Sequence, residues 1–478
     1  MAFRTARPAW GPWVAWLLIL ATTWGMVTQA MRRRETEKAE RAPDSLGAIS
    51  MQETLVARLF VALGALGPSG QEATHNIARE SGDWAQGPVT QRLARSILLA
   101  ADGDRPGAVL ALKAAMTDPA LSAGTQEAAQ PLYRVVASYL TPRDDGQGAP
   151  DPFLAGIHAP NDTDRRDADR LLGTYITLAE ARLGSGDASK AAESEMAAAG
   201  MRTLIAVFVL AAGGLLALLA GLAAGITLMA LAATGRIRSA VSGSPDGGGV
   251  LIEIFALWML LLWGSQNAAK AWLPDDLVLP CVVVSMALTV VALSWGRVRG
   301  LSWKELREAC GLSFGASPVR TVLSGVLAYV LGVLLLFVGL GVSFALGRLL
   351  GIRGLGNPTH PVHEVMDAGG SAVLWIWILA VGVAPIIEEI FFRGVLYRAL
   401  RAQTRGVGVG LSIAGATIIS GAVFGAIHPQ GLLFAPVLGG LAAGFCLVRE
   451  WTGRVVPGML GHAINNAAML GLASFLFR

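Results

Sequence analysis

Nine long apolar runs dominate the pattern of hydrophobic and polar positions in this chain. An α-helix of about 20 apolar residues crosses the ~30 Å hydrocarbon core of a bilayer, and each run approaches or exceeds that length. The pattern therefore predicts nine membrane-spanning helices, within one, and an all-α polytopic membrane bundle. The runs occupy residues 9–31, 203–234, 250–273, 277–295, 321–350, 371–387 and beyond, 411–427, 432–448 and 456–477.

Residues 35–200 contain no such run and predict a soluble α-helical domain. Alanine-rich stretches with helical spacing alternate there with turn signals. Gly103 and Gly186, each followed by Asp, precede alanine-rich helices as they do in helical repeats, so a repeat-like domain and a plain helical domain are both open. Residues 143–166, rich in Pro, Gly and Asp, predict a loop. The helical stretches are 55–66, 89–101, 106–116, 127–140, 167–183 and 188–199.

Composition divides the chain into four segments. Residues 1–34 form an N-terminal transmembrane anchor, and residues 35–200 form the soluble domain. Residues 201–299 add further membrane helices, and residues 300–478 form a membrane core that begins with a short amphipathic helix. A cleaved signal peptide is the alternative for the first segment, but the three arginines at 32–34 disfavour it.

Overall composition excludes several classes of protein. Charged residues make up 15% of the chain, against about 25% in soluble domains, and hydrophobic residues make up 53%. These values exclude a soluble enzyme and a disordered chain. The net charge of +4 comes without a basic, aromatic-rich cluster, so nucleic acid is not expected as a partner. Cys281, Cys310 and Cys446 lie in or beside apolar runs and indicate neither a disulfide framework nor a zinc site.

Charge is distributed unevenly and predicts an orientation. Residues 35–200 carry 23 acidic and 15 basic residues, whereas the rest of the chain is basic. Basic residues cluster in alternate loops, and such loops face the cytoplasm. We therefore expect the N-terminus inside and the 35–200 domain outside. The basic clusters are Arg236 and Arg238; Arg297, Arg299, Lys304 and Arg307; Arg393, Arg398, Arg401 and Arg405; and Arg449 and Arg454.

Ionisable residues inside membrane segments are costly and therefore indicate function. Glu388, Glu389 and Arg393 all lie in the helix predicted from residue 371. Glu389 and Arg393 are four residues apart with the acid first, which favours an intrahelical ion pair. Adjacent helical side chains point about 100° apart, so the spacing leaves Glu388 as an unpaired carboxylate that faces a cavity.

Two histidines and an asparagine complete a candidate site. His428 ends one apolar run, and His462 and Asn466 share a helix face at the start of the last run. Glu388 lies about 25 Å along the helix that begins at residue 371, which places the two carboxylates toward the cytoplasmic side of the membrane. If the run 411–427 simply crosses outward, His428 lies ~25 Å from the level of Glu388. Convergence then requires tilt, a broken helix or a deep loop.

Three ordered motifs in these membrane segments resemble the CPBP (Abi) family of type II CAAX prenyl endopeptidases and bacterial bacteriocin-processing and immunity proteins. They are EExxxR from Glu388, FxxxH from Phe424 and HxxxN from His462. The resemblance covers roughly residues 300–478. It implies an intramembrane endopeptidase that acts on membrane-associated or lipid-modified proteins, and we expect it in the bacterial cytoplasmic (inner) membrane.

The resemblance also implies catalytic roles. A carboxylate and a histidine activate a water, a histidine and an amide stabilise the oxyanion, and an ion pair supports them. By this resemblance, Glu388 and His428 activate the water. His462 and Asn466 stabilise the oxyanion. Glu389 and Arg393 form the supporting ion pair. This version needs no cofactor.

A divalent metal, zinc for example, is the alternative means of activating the water. Glu388, His428 and His462 would hold it. The loop 360–364 also contains two histidines and a glutamate, but it lies outside the apolar runs and lacks the HExxH spacing, so we do not assign a metal to it.

A function of another class is also open. A non-catalytic membrane scaffold or immunity factor would bind a partner through the 35–200 domain. Intact motifs favour catalysis, whereas a separate helical domain favours partner binding. No pair of interrupted, similarly placed helices indicates a transporter.

Overall fold

Helices account for the regular structure of the described part of the chain. A computed structural model describes residues 10–40, 42–47, 49–141, 151–236, 238–241, 248–351 and 370–476. These residues contain no strand, so the predicted all-α class is confirmed. They separate into two compact units. One comprises the residues through Met31 together with those from Ala211 onward, and the other runs from Arg32 to Leu210.

The helices are numbered in chain order. They are α1 (Gly11–Glu40), α2 (Met51–Gly64), α3 (Pro68–Glu80), α4 (Val89–Ala101), α5 (Arg105–Met116), α6 (Ala123–Leu140), α7 (Pro152–Ala155), α8 (Asp162–Leu172), α9 (Thr174–Leu183), α10 (Gly186–Ala233), α11 (Gly249–Trp272), α12 (Asp275–Val298), α13 (Trp303–Cys310), α14 (Pro318–Leu349), α15 (Gly370–Gln403), α16 (Val409–Ala426), α17 (Ala435–Thr452) and α18 (Val456–Leu476).

Nine helices in the described residues are long and apolar enough to cross a membrane. They are α1, α10, α11, α12 and α14 to α18. Their number confirms the prediction made from the apolar runs, and they indicate an integral membrane protein. The short amphipathic helix is also present as α13, where Ser302 and Glu305 form a reciprocal capping box.

The unit from Arg32 to Leu210 has its own apolar core. Leu93, Leu132, Tyr133 and Tyr175 are fully buried in it. Its helices α4 and α5 match the predicted stretches closely because their apolar positions recur with helical spacing.

Three features of this unit differ from the prediction. Helix α3 is polar and has no apolar run to reveal it. Gly173 has a φ of 45° and separates α8 from α9, where one helix was predicted. The predicted loop 143–166 includes α7 and the start of α8, which Asn161 caps through its side chain.

Helix α10 joins two predicted segments into one helix of 48 residues. The stretch 188–199 and the span 203–234 were expected as separate helices. Gly200, Met201 and Arg202 fill the interval between them, and methionine and arginine favour helix. Gly200 alone does not end the helix, because a single interior glycine costs only about 1 kcal/mol.

Helix α1 packs within its unit as an integral part of the bundle. Ala15 and Ile19 are buried in the same apolar core as Trp258. The Gln29 side-chain amide donates to the Asn267 side chain over 3.1 Å. The part of α1 before Arg32 therefore contributes to the apolar core of its unit.

Several basic residues that were expected in cytoplasmic loops are buried in helices α15 and α17. Arg398, Arg401 and Arg449 are only 6%, 7% and 3% exposed. Arg401 donates to the Glu450 carboxylate from Nε and Nη2 over 3.1 and 2.9 Å, and the Tyr397 hydroxyl donates to it over 2.8 Å. The loop assignment is therefore wrong for these arginines, because both helices extend further than the apolar runs suggest.

Candidate active site

Helix α15 changes its hydrogen-bonding pattern on both sides of the two carboxylates. π-helical segments occupy Ile378–Val383 and Ile390–Leu396, and one α-helical turn, Ala384–Glu389, lies between them. Pro385 has no backbone N–H to donate, so the sequence itself interrupts the α-helical ladder here. Such π segments are rare and recur at functional sites.

The expected ion pair between Glu389 and Arg393 is present. Arg393 Nη1 donates to Glu389 Oε1 over 2.7 Å, and the two side chains are 1% and 0% exposed. Arg393 Nη2 also donates to the backbone carbonyl of Ala442 on α17 over 3.2 Å. The pair therefore ties α15 to α17 at the depth of the carboxylates.

Glu388 is the carboxylate without a hydrogen bond. Its Oε2 atom is buried and has no hydrogen-bond partner, and its side chain is 14% exposed. The nearest imidazole nitrogen, Nε2 of His462, lies 3.9 Å from that oxygen. Glu388 therefore has an acceptor free for a water or a substrate.

His462 lies between the two carboxylates. Its Nδ1 atom is 3.2 Å from Glu389 Oε1, and its Nε2 atom faces Glu388. An ionised carboxylate can only accept hydrogen bonds, so Nδ1 carries the proton in its bond to Glu389. The ring is 4% exposed, which holds it in this orientation.

His428 reaches the same site because α16 returns alongside α15. Glu388 is near the middle of α15, which continues for about 15 residues beyond it, or ~22 Å. Helix α16 runs back over a similar length, and the rings of Phe392 and Phe424 meet with centroids 5.1 Å apart. His428 is close enough to Glu388 and His462 to interact with both electrostatically.

The ~25 Å offset of His428 from the level of Glu388, which would follow if the run 411–427 simply crossed outward from that level, is therefore not found. No break in α16 is needed for convergence. That offset assumed that the membrane part of α15 ends near Glu388, whereas the helix continues to Gln403. His428 Nδ1 lies 2.5 Å from the carbonyl of Phe424 one turn earlier, which fixes the ring at the end of α16.

Asn466 lies one turn beyond His462 on α18. Its Nδ2 atom donates to the backbone carbonyl of Ala380 over 2.8 Å, and Asn465 donates to its Oδ1 atom over 3.2 Å. Ala380 belongs to the first π segment. The structure thus connects Asn466 to α15 through a contact that the sequence pattern does not reveal.

Comparison with known proteins bears on this part of the chain. Residues 370–468 match the family model described as Type II CAAX prenyl endopeptidase Rce1-like. The resemblance to the CPBP, CAAX protease-like family is confirmed. No curated protein matches the chain, and no solved structure matches it.

The family match points to a peptide hydrolase. It begins at α15 and ends within α18, so it contains the elements that carry all three motifs. It is narrower than the resemblance over residues 300–478 and does not include α1 to α14.

The metal alternative requires several ligand side chains grouped at one point. Among the described residues, no three His, Cys, Asp or Glu side chains form a group that could hold a metal ion. Nδ1 of each histidine is engaged with an oxygen atom, of Glu389 for His462 and of Phe424 for His428, which leaves Nε2 of each ring as the nitrogen available to a substrate or a metal. The loop 360–364 lies outside the described residues.

Three residues around the site were not singled out from the sequence. Phe445 stacks on His462 with ring centroids 5.6 Å apart, and Phe392 contacts Phe424. A Cβ atom on Gly458 would lie 2.7 Å from Glu389 Oε2. Of these three residues, only Phe392 is next to a motif residue, Arg393, in the sequence. Phe445 is not, so the local sequence pattern gave no signal for it.

Proposed function

We propose that this protein is an intramembrane endopeptidase that hydrolyses peptide bonds through a water activated by Glu388. The observation that carries the proposal is the buried Oε2 atom of Glu388, which has no hydrogen bond and lies 3.9 Å from Nε2 of His462. A general base needs an acceptor atom that can reach the water it deprotonates, and this oxygen is such an atom. The family match to peptide hydrolases supports the same reaction class.

The chemistry proceeds by addition and elimination at the peptide carbonyl. Glu388, assisted by His428, takes a proton from the water as its oxygen attacks the carbonyl carbon. The tetrahedral intermediate then collapses, the C–N bond breaks, and the proton passes from Glu388 to the leaving amine. The products are a carboxylic acid and an amine, and Glu388 returns to its ionised form.

The oxyanion is stabilised by donors from α18. His462 already donates from Nδ1 to Glu389, so it donates to an oxyanion from Nε2 only as the doubly protonated ring. Nε2 of His462 faces Glu388 at 3.9 Å, on the side of the ring away from Glu389. The side-chain amide of Asn466 supplies the second donor once its N–H groups reach the substrate.

The substrate class follows from where the site lies. The catalytic side chains project from helices long and apolar enough to span a membrane, so the substrates are membrane-associated or lipid-modified peptides and proteins. The expected location is the bacterial inner membrane, with the 35–200 domain outside. That domain has a separate core and supplies a surface for a protein partner, which is also the basis of the scaffold alternative.

Cleavage of peptides by the purified full-length protein tests the proposal. A library of plain and lipid-modified peptides is incubated with the wild type and with Glu388→Gln. The variant keeps the size of the side chain but cannot take the proton, so we expect cleavage to fall by several orders of magnitude, up to about 10⁴-fold. Glu253→Gln is the matched control, because Glu253 pairs with Arg299 on another part of the bundle.

Each result has a defined meaning. Normal cleavage by Glu388→Gln would remove Glu388 from the mechanism, and absence of cleavage by the wild type over the whole library would favour the scaffold function. Exhaustive chelation should leave the wild-type rate unchanged. Loss of activity on chelation, with recovery on adding zinc, would establish the metal mechanism instead.

A further inference from the structure

Arg393 carries a buried charge with few hydrogen bonds. Its side chain is 1% exposed, and its two terminal nitrogens donate to Glu389 and to the Ala442 carbonyl. Its Nε atom is buried and has no hydrogen-bond partner. A buried cation with incomplete hydrogen bonding is unfavourable, so another contact must compensate.

Three phenylalanine rings surround the guanidinium of Arg393. Its Cζ atom lies 5.8 Å from the ring centroid of Phe392, 4.9 Å from that of Phe424 and 5.2 Å from that of Phe445. These rings come from α15, α16 and α17, and we refer to them as the aromatic cage. A cation within about 6 Å of a ring centroid is attracted by the ring quadrupole, most strongly where water is absent.

Two rings of the aromatic cage also contact the histidines of the site. The Phe424 centroid lies 4.4 Å from that of His428 and 6.0 Å from that of His462. Phe445 stacks on His462 at 5.6 Å with an interplanar angle of 23°. Each of these rings therefore contacts the cation and at least one imidazole.

We propose that Phe424 and Phe445 are positioning residues for the hydrolysis. Their ring faces hold Arg393, which holds Glu389, and Glu389 in turn orients His462. The inference rests on the proposed function and adds to it a role for the phenylalanine of the FxxxH motif. Neither ring needs to touch the substrate, so their loss should lower kcat and leave KM nearly unchanged.

Graded fluorination of one ring tests the electrostatic part of this role. Phenylalanine with one, two or three fluorine atoms replaces Phe445 in the full-length protein. Fluorine withdraws electron density from the ring face and changes the volume little, so it weakens the attraction to Arg393. We expect kcat for the peptide cleaved in the library assay to fall stepwise, by about tenfold at three fluorines.

Phe391 is the matched control for this series. It is as buried as Phe445, at 0% exposure, but it stacks on Trp258 with centroids 4.7 Å apart. Fluorination there should leave kcat without a trend. A flat series at both positions would overturn the proposal, and so would a fall of equal size at both.

Thermal unfolding separates this inference from the proposed function. Fluorination at Phe445 should lower Tm stepwise in the wild type, and the trend should vanish when Arg393 is replaced by Met. Arg393→Lys retains a cation and serves if the Met variant does not fold, with a weaker trend expected. A Tm trend that persists without the cation excludes the cage, whereas a protein that cleaves no peptide but shows the coupling retains the cage and loses the peptidase assignment.

Discussion

Glu388 and Glu389 are neighbours in sequence with different surroundings. Glu389 is fully buried and its Oε1 atom is bonded to Arg393 and His462, whereas Glu388 is 14% exposed and its nearest charged partner, Nε2 of His462, is 3.9 Å away. The Oε2 atom of each carboxylate has no hydrogen-bond partner. The difference follows from helix geometry, since a step of one residue turns the side chain by about 100°. Glu389 therefore faces the packed interior, and Glu388 faces a different direction in which its side chain is partly exposed.

The same amide substitution should separate these two carboxylates. Glu389→Gln leaves Arg393 buried without its negative partner, so the free energy of unfolding should fall by about 3 kcal/mol. Its peptidase rate should be reduced but measurable. Glu388→Gln should lose activity and keep its stability within about 1 kcal/mol, because that oxygen makes no hydrogen bond. Unfolding in detergent measures both, and equal stabilities would contradict the assignment.

Substitution of Gly458 provides a second test of how the Glu389 carboxylate is positioned. A Cβ atom there would lie 2.7 Å from Glu389 Oε2, so Gly458→Ala displaces the carboxylate. Misplacement of a supporting group by about 1 Å can cost 10²-fold in rate, and we expect that loss in kcat. Gly471→Ala on the same helix is the control, since its Cβ would be 3.8 Å from the Trp377 ring. Equal rates for the two variants would exclude the steric role of Gly458.

At the scale of the elements, helices α14 and α17 meet through glycines. A Cβ atom on Gly444 would lie 2.3 Å from the backbone nitrogen of Gly332, and one on Gly440 would lie 2.1 Å from the carbonyl of Leu335. Small residues let membrane helices approach to backbone contact, where dispersion and weak hydrogen bonds act. Because α17 also carries Phe445 and the Ala442 carbonyl, the contact between α14 and α17 helps to position these two groups at the site.

Replacing one of these glycines should loosen the contact. Gly444→Ala forces α17 away from α14, so the free energy of unfolding should fall by about 1–3 kcal/mol. Gly341→Ala on α14 is the control, since nothing lies within 4 Å of its Cβ and alanine favours helix. Thermal unfolding of both variants measures the difference. A control destabilised as much as Gly444→Ala would mean that close approach is not the cause.

At the scale of the whole molecule, the charge asymmetry predicts the orientation. The 35–200 segment is acidic, with 23 acidic against 15 basic residues, whereas the rest is basic. Burial of Arg398, Arg401 and Arg449 removes part of that basic signal. Arg297 and Arg405 still lie close to helix ends on the side predicted to be cytoplasmic.

Cysteine labelling of intact cells measures this orientation. Ala120→Cys and Gly406→Cys introduce thiols at exposed positions in a protein whose half-buried Cys281 is replaced by Ser. A membrane-impermeant maleimide should label position 120 from outside and position 406 only after permeabilisation. The reverse pattern would invert the proposed topology and place the 35–200 domain in the cytoplasm.

Local pattern by itself determined the spans and the ion pair. Apolar length suffices for the nine candidate membrane helices, because crossing a bilayer requires about 20 apolar residues wherever the helix lies. The pair between Glu389 and Arg393 needs only helical spacing. The ordered motifs likewise indicated a resemblance that the family match over residues 370–468 confirms.

Only the tertiary structure decided how these parts meet. The level of His428 depends on how far α15 continues and on the packing of α16 against it, which no local spacing encodes. Phe445 joins the site from α17, and Glu450 pairs with Arg401 from 49 residues away. Contacts between distant segments depend on the packing of whole helices, and several packings are compatible with the same apolar pattern. Polar spacing in the sequence thus identified the chemical groups, and helix packing brought them to one point.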